Sequence, residues 1–267
     1  MKANVLGLDG KAGREIELPS QFNEAYRPDV IRRAFLAEST ESLQPKGNFP
    51  LAGMQTTAEY YGRRHAWRQT INTGRSRLPR EKIAKGRSGK VRMVPHSVGG
   101  RRAHPPNPGK KIVEKINPKE KNLAIRSAVA ATAMIEAVKA RGHIPGAGKL
   151  PIVVSDSIQS VKKSSEAKKI LEFLGFAKDL ARASDGRKTR TGVSRLRKGG
   201  VRTPRSALLV IAKDDGIGKA ARNIPGVEVA QVNKLRMDEL APGGTPGRLT
   251  AWTEGALQAM GKEKMFY

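Results

Sequence analysis

The chain has 267 residues, 51 of them Lys or Arg and 24 Asp or Glu, for a formal net charge of +27, and it contains no cysteine. Self-repulsion at that charge works against a compact monomer, so a polyanion or an anionic surface is the expected partner, and the lack of thiols excludes disulfides, thiolate metal sites and cysteine nucleophiles. Apolar runs such as residues 207–212 fall far short of the roughly 18 needed to cross a bilayer, and the opening MKANVLGLDG turns polar too early for a secretory signal, so a cytoplasmic location is expected.

Residues 4–8 and 15–18, separated by the turn-prone Asp9, Gly10, Lys11, Ala12 and Gly13, read as a hairpin. Pro28 and Asp29 then open a helix whose Val30, Ile31, Ala34, Phe35 and Ala37 face a core. Residues 62–111 carry 15 Lys or Arg against one acid, Glu81, a net of +14, and 12 of these 50 residues are Gly or Pro. Such a stretch buries too little apolar surface to fold alone. Residues 43–111 therefore read as a basic extended loop, disordered without its partner and inserted in one globular α/β domain formed by residues 1–42 and 112–267. Ten of the 15 bases are Arg, whose planar fork matches phosphate. Trp67 lies between Arg64 and Arg68, with Tyr60, Tyr61 and His65 nearby, and offers rings for stacking on unpaired bases.

Asn117 as N-cap, Pro118 at the first helical position and Glu120 in the first turn predict one helix running to Arg141 and stopped by Gly142. Its core stripe is Leu123, Ser127, Ala131, Met134, Ile135 and Val138. Residues 150–154 read as a buried strand and 164–174 as a helix stopped by Gly175. Residues 186–213 hold nine Lys or Arg and no acid, a net of +9; a short basic helix is predicted over 191–198, ended by Gly199 and Gly200, with the segment anchored at a sheet edge by the strand at 207–212. A helix at 218–223, a strand at 227–232, a helical turn at 237–240 and a strand at 249–252 follow. Thr253 is the expected cap of a last helix with Glu254 in its first turn. Short apolar strands alternating with helices predict an α/β fold, a mainly parallel open sheet with flanking helices, plus the long basic extended loop inserted between two helices.

Few residues suggest chemistry. Gly216, Gly218 and Ala221 form a G-x-G-x-x-A, but Lys213, Asp214 and Asp215 separate it from the preceding strand and the helix after it is short, so an ordinary loop is the preferred reading. Gly86, Gly89 and Lys90 lack phosphate-loop spacing, with Val91 where Ser or Thr would hold magnesium. His65, His96, His104 and His143 lack metal-ligand spacing and read as RNA contacts or solvated residues. Asp214 and Asp215 read as turn residues. No catalytic, cofactor-binding or metal-binding residue is predicted. The alternatives to an RNA-binding protein of the translation machinery are a nucleotide-dependent α/β enzyme using Gly216 and Gly218, and a free RNA-binding regulator of its own message.

Five segments, GMQTTAEYYGRR (53–64), TGRSRLPR (73–80), GGRRAHPP (99–106), INPKEKNLAIRSAVAATA (116–133) and LAPGGTPGRLTAWTEGAL (240–257), together resemble large-subunit ribosomal protein four of the archaeal and eukaryotic type. The long C-terminal addition of eukaryotic members is lacking, which favours the archaeal form. The resemblance implies a structural rRNA-binding protein, not an enzyme, with an α/β domain on the outside of the large subunit and an extension reaching its RNA core. It implies that the tip of the extension helps form the narrow part of the polypeptide exit tunnel, at Gly74, Arg75, Arg77, Pro79 and Arg80. The partners it implies are large-subunit rRNA, neighbouring large-subunit ribosomal proteins and the nascent polypeptide, with no membrane, no homo-oligomer and no cofactor beyond rRNA-associated magnesium. Charge and resemblance together make three groups the expected RNA contacts. Arg63, Arg64, His65, Trp67, Arg68, Arg101, Arg102, His104, Lys110 and Lys111 lie toward the stem ends of the loop. Arg75, Arg77, Arg80, Lys82, Lys85, Arg87, Lys90 and Arg92 lie toward its tip. Arg187, Lys188, Arg190, Arg195, Arg197, Lys198, Arg202 and Arg205 extend from the body.

Overall fold

In a computed structural model that describes residues 1–65, 69–84, 88–146 and 149–267, β1 (Lys2–Leu6) and β2 (Ala12–Glu17) form an antiparallel hairpin, followed by α1 (Pro28–Glu41). β3 (Arg80–Lys82) and β4 (Ser88–Val91) come next. They are followed by α2 (Pro118–Ala133), α3 (Ile135–Ala140), β5 (Ile152–Val154), α4 (Ser164–Leu171) and α5 (Ala177–Asp185). A small lobe contains β6 (Lys188–Thr189), α6 (Val193–Lys198) and β7 (Val201–Arg202). The chain closes with β8 (Leu208–Ile211), α7 (Ile217–Ala221), β9 (Glu228–Gln231), α8 (Met237–Leu240), β10 (Thr250–Thr253) and α9 (Glu254–Lys262). The structure divides into a unit made of Met1–Ser42 and Val113–Tyr267 and a second unit, Leu43–Ile112.

In the first unit six strands form one sheet in the order β2-β1-β5-β10-β8-β9. All neighbours are parallel except the β1–β2 pair. Strand residues alternate between two apolar layers, as a sheet covered on both faces requires. Val153, Leu208, Val210 and Trp252 meet α1, α2, α8 and α9 on one face. Ile152, Val154, Leu209, Ile211 and Ala251 meet α4, α5 and α7 on the other. Phe22 packs edge-on against the fully buried Trp252, with ring centroids 5.3 Å apart, a geometry that adds about 0.5–1.5 kcal/mol to burial alone.

Several expectations are corrected. The helix predicted from Asn117 to Arg141 is broken at Met134, whose backbone is extended (φ −88°, ψ 111°). The reason is a change of sheet face: α2 buries Ala124, Ile125, Ala128 and Val129 in one layer, whereas Val138 of α3 buries in the other. The break turns Met134 and Ile135 outward, 38% and 45% exposed, and they leave the predicted core stripe. Leu123 and Phe35 are half-buried. Gly175 does not end a helix against a loop: it sits at φ 89° in a π-helical segment, Glu172–Phe176, that joins α4 to the unpredicted α5. β8 is not at a sheet edge. Its residues are buried on both faces, and β9 pairs outside it. Thr253 occupies the N-cap position of α9, but its hydroxyl has no partner; the carboxylate of Asp156 accepts from Gly255 N instead (2.8 Å). Asn117 caps α2 as predicted, accepting from Lys119 N at 3.1 Å.

The second unit is not structureless. β3 and β4 pair antiparallel, and Glu59 and Arg80 exchange two backbone hydrogen bonds of 3.2 Å, adding a third extended segment. Among its described residues only Ala58 and Thr70 are buried, too small a core to hold a domain of this length without a partner. Within the first unit, Glu114 N donates to Thr40 Oγ1 (3.1 Å), which holds the exit and re-entry points of the chain side by side.

Candidate nucleic-acid interface

The basic lobe of the first unit is a two-residue antiparallel pairing, Lys188↔Arg202 and Thr189↔Val201, crossed by the single turn and a half of α6. Every residue of α6 is exposed. Arg195, Arg197 and Lys198 occupy its last turn, where cations favour the negative end of the helix dipole. Gly199, at φ 81°, ends the helix in a conformation that excludes other residues at low cost. Arg190 has a different task from the one expected. Its Nη1 donates to the carbonyls of Lys198 (2.5 Å), Gly199 (3.2 Å) and Val201 (2.6 Å), stitching the lobe together. Arg205 is also committed, to Glu228. Arg187, Lys188, Arg195, Arg197, Lys198 and Arg202 are exposed and, among the described residues, have no acidic partner. Six uncompensated cations on a six-to-eight-residue projection make a phosphate-binding surface.

In the second unit the predicted contacts separate in the same way. Arg92 gives Nε to Glu81 Oε1 (2.8 Å) and Nη1 to Gly99 O (2.8 Å), so it braces the hairpin. Lys82 pairs with Glu59 (2.6 Å) and Arg80 with Ser76 Oγ (2.8 Å). Arg63, Arg64, His65, Arg75, Arg77, Lys90, Arg102, His104, Lys110 and Lys111 are exposed, and Arg101 is half-buried. Gly74, Arg75, Ser76 and Arg77 form an exposed turn, with Leu78, Pro79 and Arg80 half-buried behind it. Trp67, Arg68, Lys85 and Arg87 lie outside the described residues.

The root of the lobe is fixed by a buried polar cluster that sequence reasoning missed. Asp179, fully buried, accepts from Ser206 Oγ (2.6 Å), His143 Nδ1 (3.1 Å), Ile144 N (3.0 Å) and Arg182 Nε (2.9 Å), and Arg182 Nη2 donates to Arg205 O (2.7 Å). Burial pushes the Asp179 carboxyl up, but the hydrogen bonds from His143, Arg182 and Ser206 outweigh it and hold the group well below the usual carboxylate range. Burial lowers the His143 pKa, so the ring is neutral and donates from Nδ1. His143 is therefore a structural residue and not an RNA contact or a solvated side chain. Arg248, also fully buried, reaches Ser206 O (3.0 Å), Glu239 O (2.8 Å) and Glu228 Oε2 (2.5 Å).

Dinucleotide binding finds no support at Gly216 and Gly218. Asp214 Oδ1 already accepts from both backbone amides (3.1 and 3.0 Å), and a Cβ at Gly218 would collide with that carboxylate. The donors that would cradle a pyrophosphate are engaged by the chain's own anion. Among the described residues no group of three or more His, Cys, Asp or Glu is placed to hold a metal, and no helix is long and apolar enough to cross a membrane. Two arginines outside both basic segments, Arg222 and Arg236, line a groove of about 700 Å³ with Arg187 and Arg205. No local charge run announces them, because each sits in a stretch of mixed charge.

The model for the ribosomal protein L4/L1 family matches residues 16–263. The chain is 44% identical over 260 residues to large ribosomal subunit protein uL4 of Methanocaldococcus jannaschii, covering 97% of this chain and 98% of that protein. It is 43% identical to the protein of that name from Archaeoglobus fulgidus, covering 98% and 99%, and 42% identical to that of Saccharolobus islandicus, covering 96% and 92%.

Proposed function

Because the chain belongs to the ribosomal protein L4/L1 family, we propose that it is a structural constituent of the large ribosomal subunit that binds large-subunit rRNA with two separate basic surfaces. It is not an enzyme. One observation carries the reading: +14 of the net +27 lies in residues 62–111 and +9 in residues 186–213, and the second of these is displayed on a lobe whose cations lack acidic partners. Its partners are large-subunit rRNA and neighbouring ribosomal proteins, in the cytoplasmic ribosome.

The exposed turn at Gly74, Arg75 and Arg77, with Pro79 and Arg80 behind it, supports a tip that lines the exit tunnel beside the nascent polypeptide. Residues 43–111 act as an extension that gains full order when RNA neutralises it, since this unit has almost no core of its own. The protein works as a single copy, with no cofactor other than magnesium held by the rRNA. Hydroxyl-radical footprinting of large-subunit rRNA in reconstituted particles tests the proposal. Two separated protected regions are expected, one lost on deleting residues 62–111 and the other on neutralising Arg195, Arg197 and Lys198. Protection that survives both changes would overturn it.

A further inference from the structure

The groove beside β9 collects guanidinium groups from four places in the chain: Arg187 at the root of the lobe, Arg205 before β8, Arg222 at the end of α7 and Arg236 at the start of α8. Its acids are largely engaged. Glu228 holds both Arg205 and the buried Arg248, and Glu239 Oε2 takes Arg236 N at 2.9 Å. Asp238 is the acid lining the groove whose side chain has no partner among the described residues, against two such arginines, Arg187 and Arg222. The wall itself adds donors. β9 has a neighbour on one side only, and Glu228 N is directed to Ala207 O of the β8 side (3.1 Å). Strand alternation therefore turns the amide of Val229, which lines the groove, to the unpaired edge.

We propose that this groove binds the sugar-phosphate backbone of an RNA strand, so that the RNA-contact surface runs from the lobe past the β9 edge to Arg222 and Arg236. The inference rests on the rRNA-binding reading above and adds a surface that lies outside both basic segments. Guanidinium forks with backbone amides are a phosphate-recognition set. An added peptide strand is the weaker fit, because β9 offers only four residues and its groove is ringed by arginine.

The test is the salt dependence of binding between the full chain and a large-subunit rRNA transcript, measured by fluorescence anisotropy, for Arg222→Gln and Asp238→Asn beside Arg197→Gln on the lobe. Arg222→Gln is expected to make the slope of log K against log salt shallower by about one, as Arg197→Gln does. Asp238→Asn is expected to tighten binding about two- to fivefold by removing a facing anion. An unchanged slope for Arg222→Gln beside a shallower one for Arg197→Gln overturns the groove and leaves the lobe as an RNA contact. An unchanged slope for both overturns the rRNA-binding reading of the lobe on which the groove depends.

Discussion

Asp179 draws donors from three parts of the chain onto one carboxylate with no exposure, and so ties the loop after α3, helix α5 and the root of the basic lobe. Removing it strands His143, Arg182 and Ser206 without an acceptor. Asp179→Ala is expected to cost about 3–5 kcal/mol in urea denaturation, although the residue lies far from any RNA contact. The cluster also sets a pH dependence. Burial disfavours the charged form of His143, so the unfolded chain binds the extra proton first as pH falls below about 6.5. Stability from the neutral ring is complete above that pH and is lost as pH falls toward the lowered folded value. Asp179 is depressed, so its contribution persists above about pH 4 and is lost only in stronger acid. A pH series of urea melts should show His143→Gln flattening the first decline and leaving the second. None of this was legible in the sequence. His143 follows a glycine with no periodic context, and its partner stands 36 positions away; only the fold brings the two together.

At the level of elements, local signals located most strands and helices because capping and periodicity are short-range. Asn117, Pro118 and Glu120 marked the start of α2, and Gly199 the end of α6. What local signals missed were decisions imposed by the sheet. Nothing around Met134 breaks a helix by itself, with no Pro or Gly nearby; the chain breaks there because its next apolar residue, Val138, belongs to the opposite layer. Single substitutions separate a broken helix from a continuous one. Val138→Ala is expected to cost about 2 kcal/mol or more, and Ile135→Ala under about 1 kcal/mol because its side chain is already half in water. Equal costs at the two positions would restore the uninterrupted stripe. The basic lobe was legible as a charge run and a short helix, but not as a hairpin pinned by Arg190, because two-residue strands carry no periodicity. The charge run also hid that Arg92, Arg190 and Arg205 serve the protein's own carbonyls and acids.

For the whole molecule, charge and core are divided between different residues. The α/β unit buries two apolar layers around a six-stranded sheet, whereas the Leu43–Ile112 unit buries almost nothing. With Thr40 and Glu114 bonded across the base of the connection, a chain in which a short Gly-Ser linker replaces residues 43–112 should still unfold in one cooperative thermal transition. Loss of cooperativity would show that the body depends on the inserted residues. The central claim, that the protein is an architectural polyanion binder with two separate basic surfaces, is tested most directly by the salt dependence of its binding to large-subunit rRNA. Each neutralised phosphate contributes about 0.7–0.9 to the slope of log K against log salt. The account predicts a slope steeper than about −5 for the full chain, made shallower by deleting residues 62–111 and again by neutralising Arg195, Arg197 and Lys198. A slope near −1, or one that neither change alters, would contradict it.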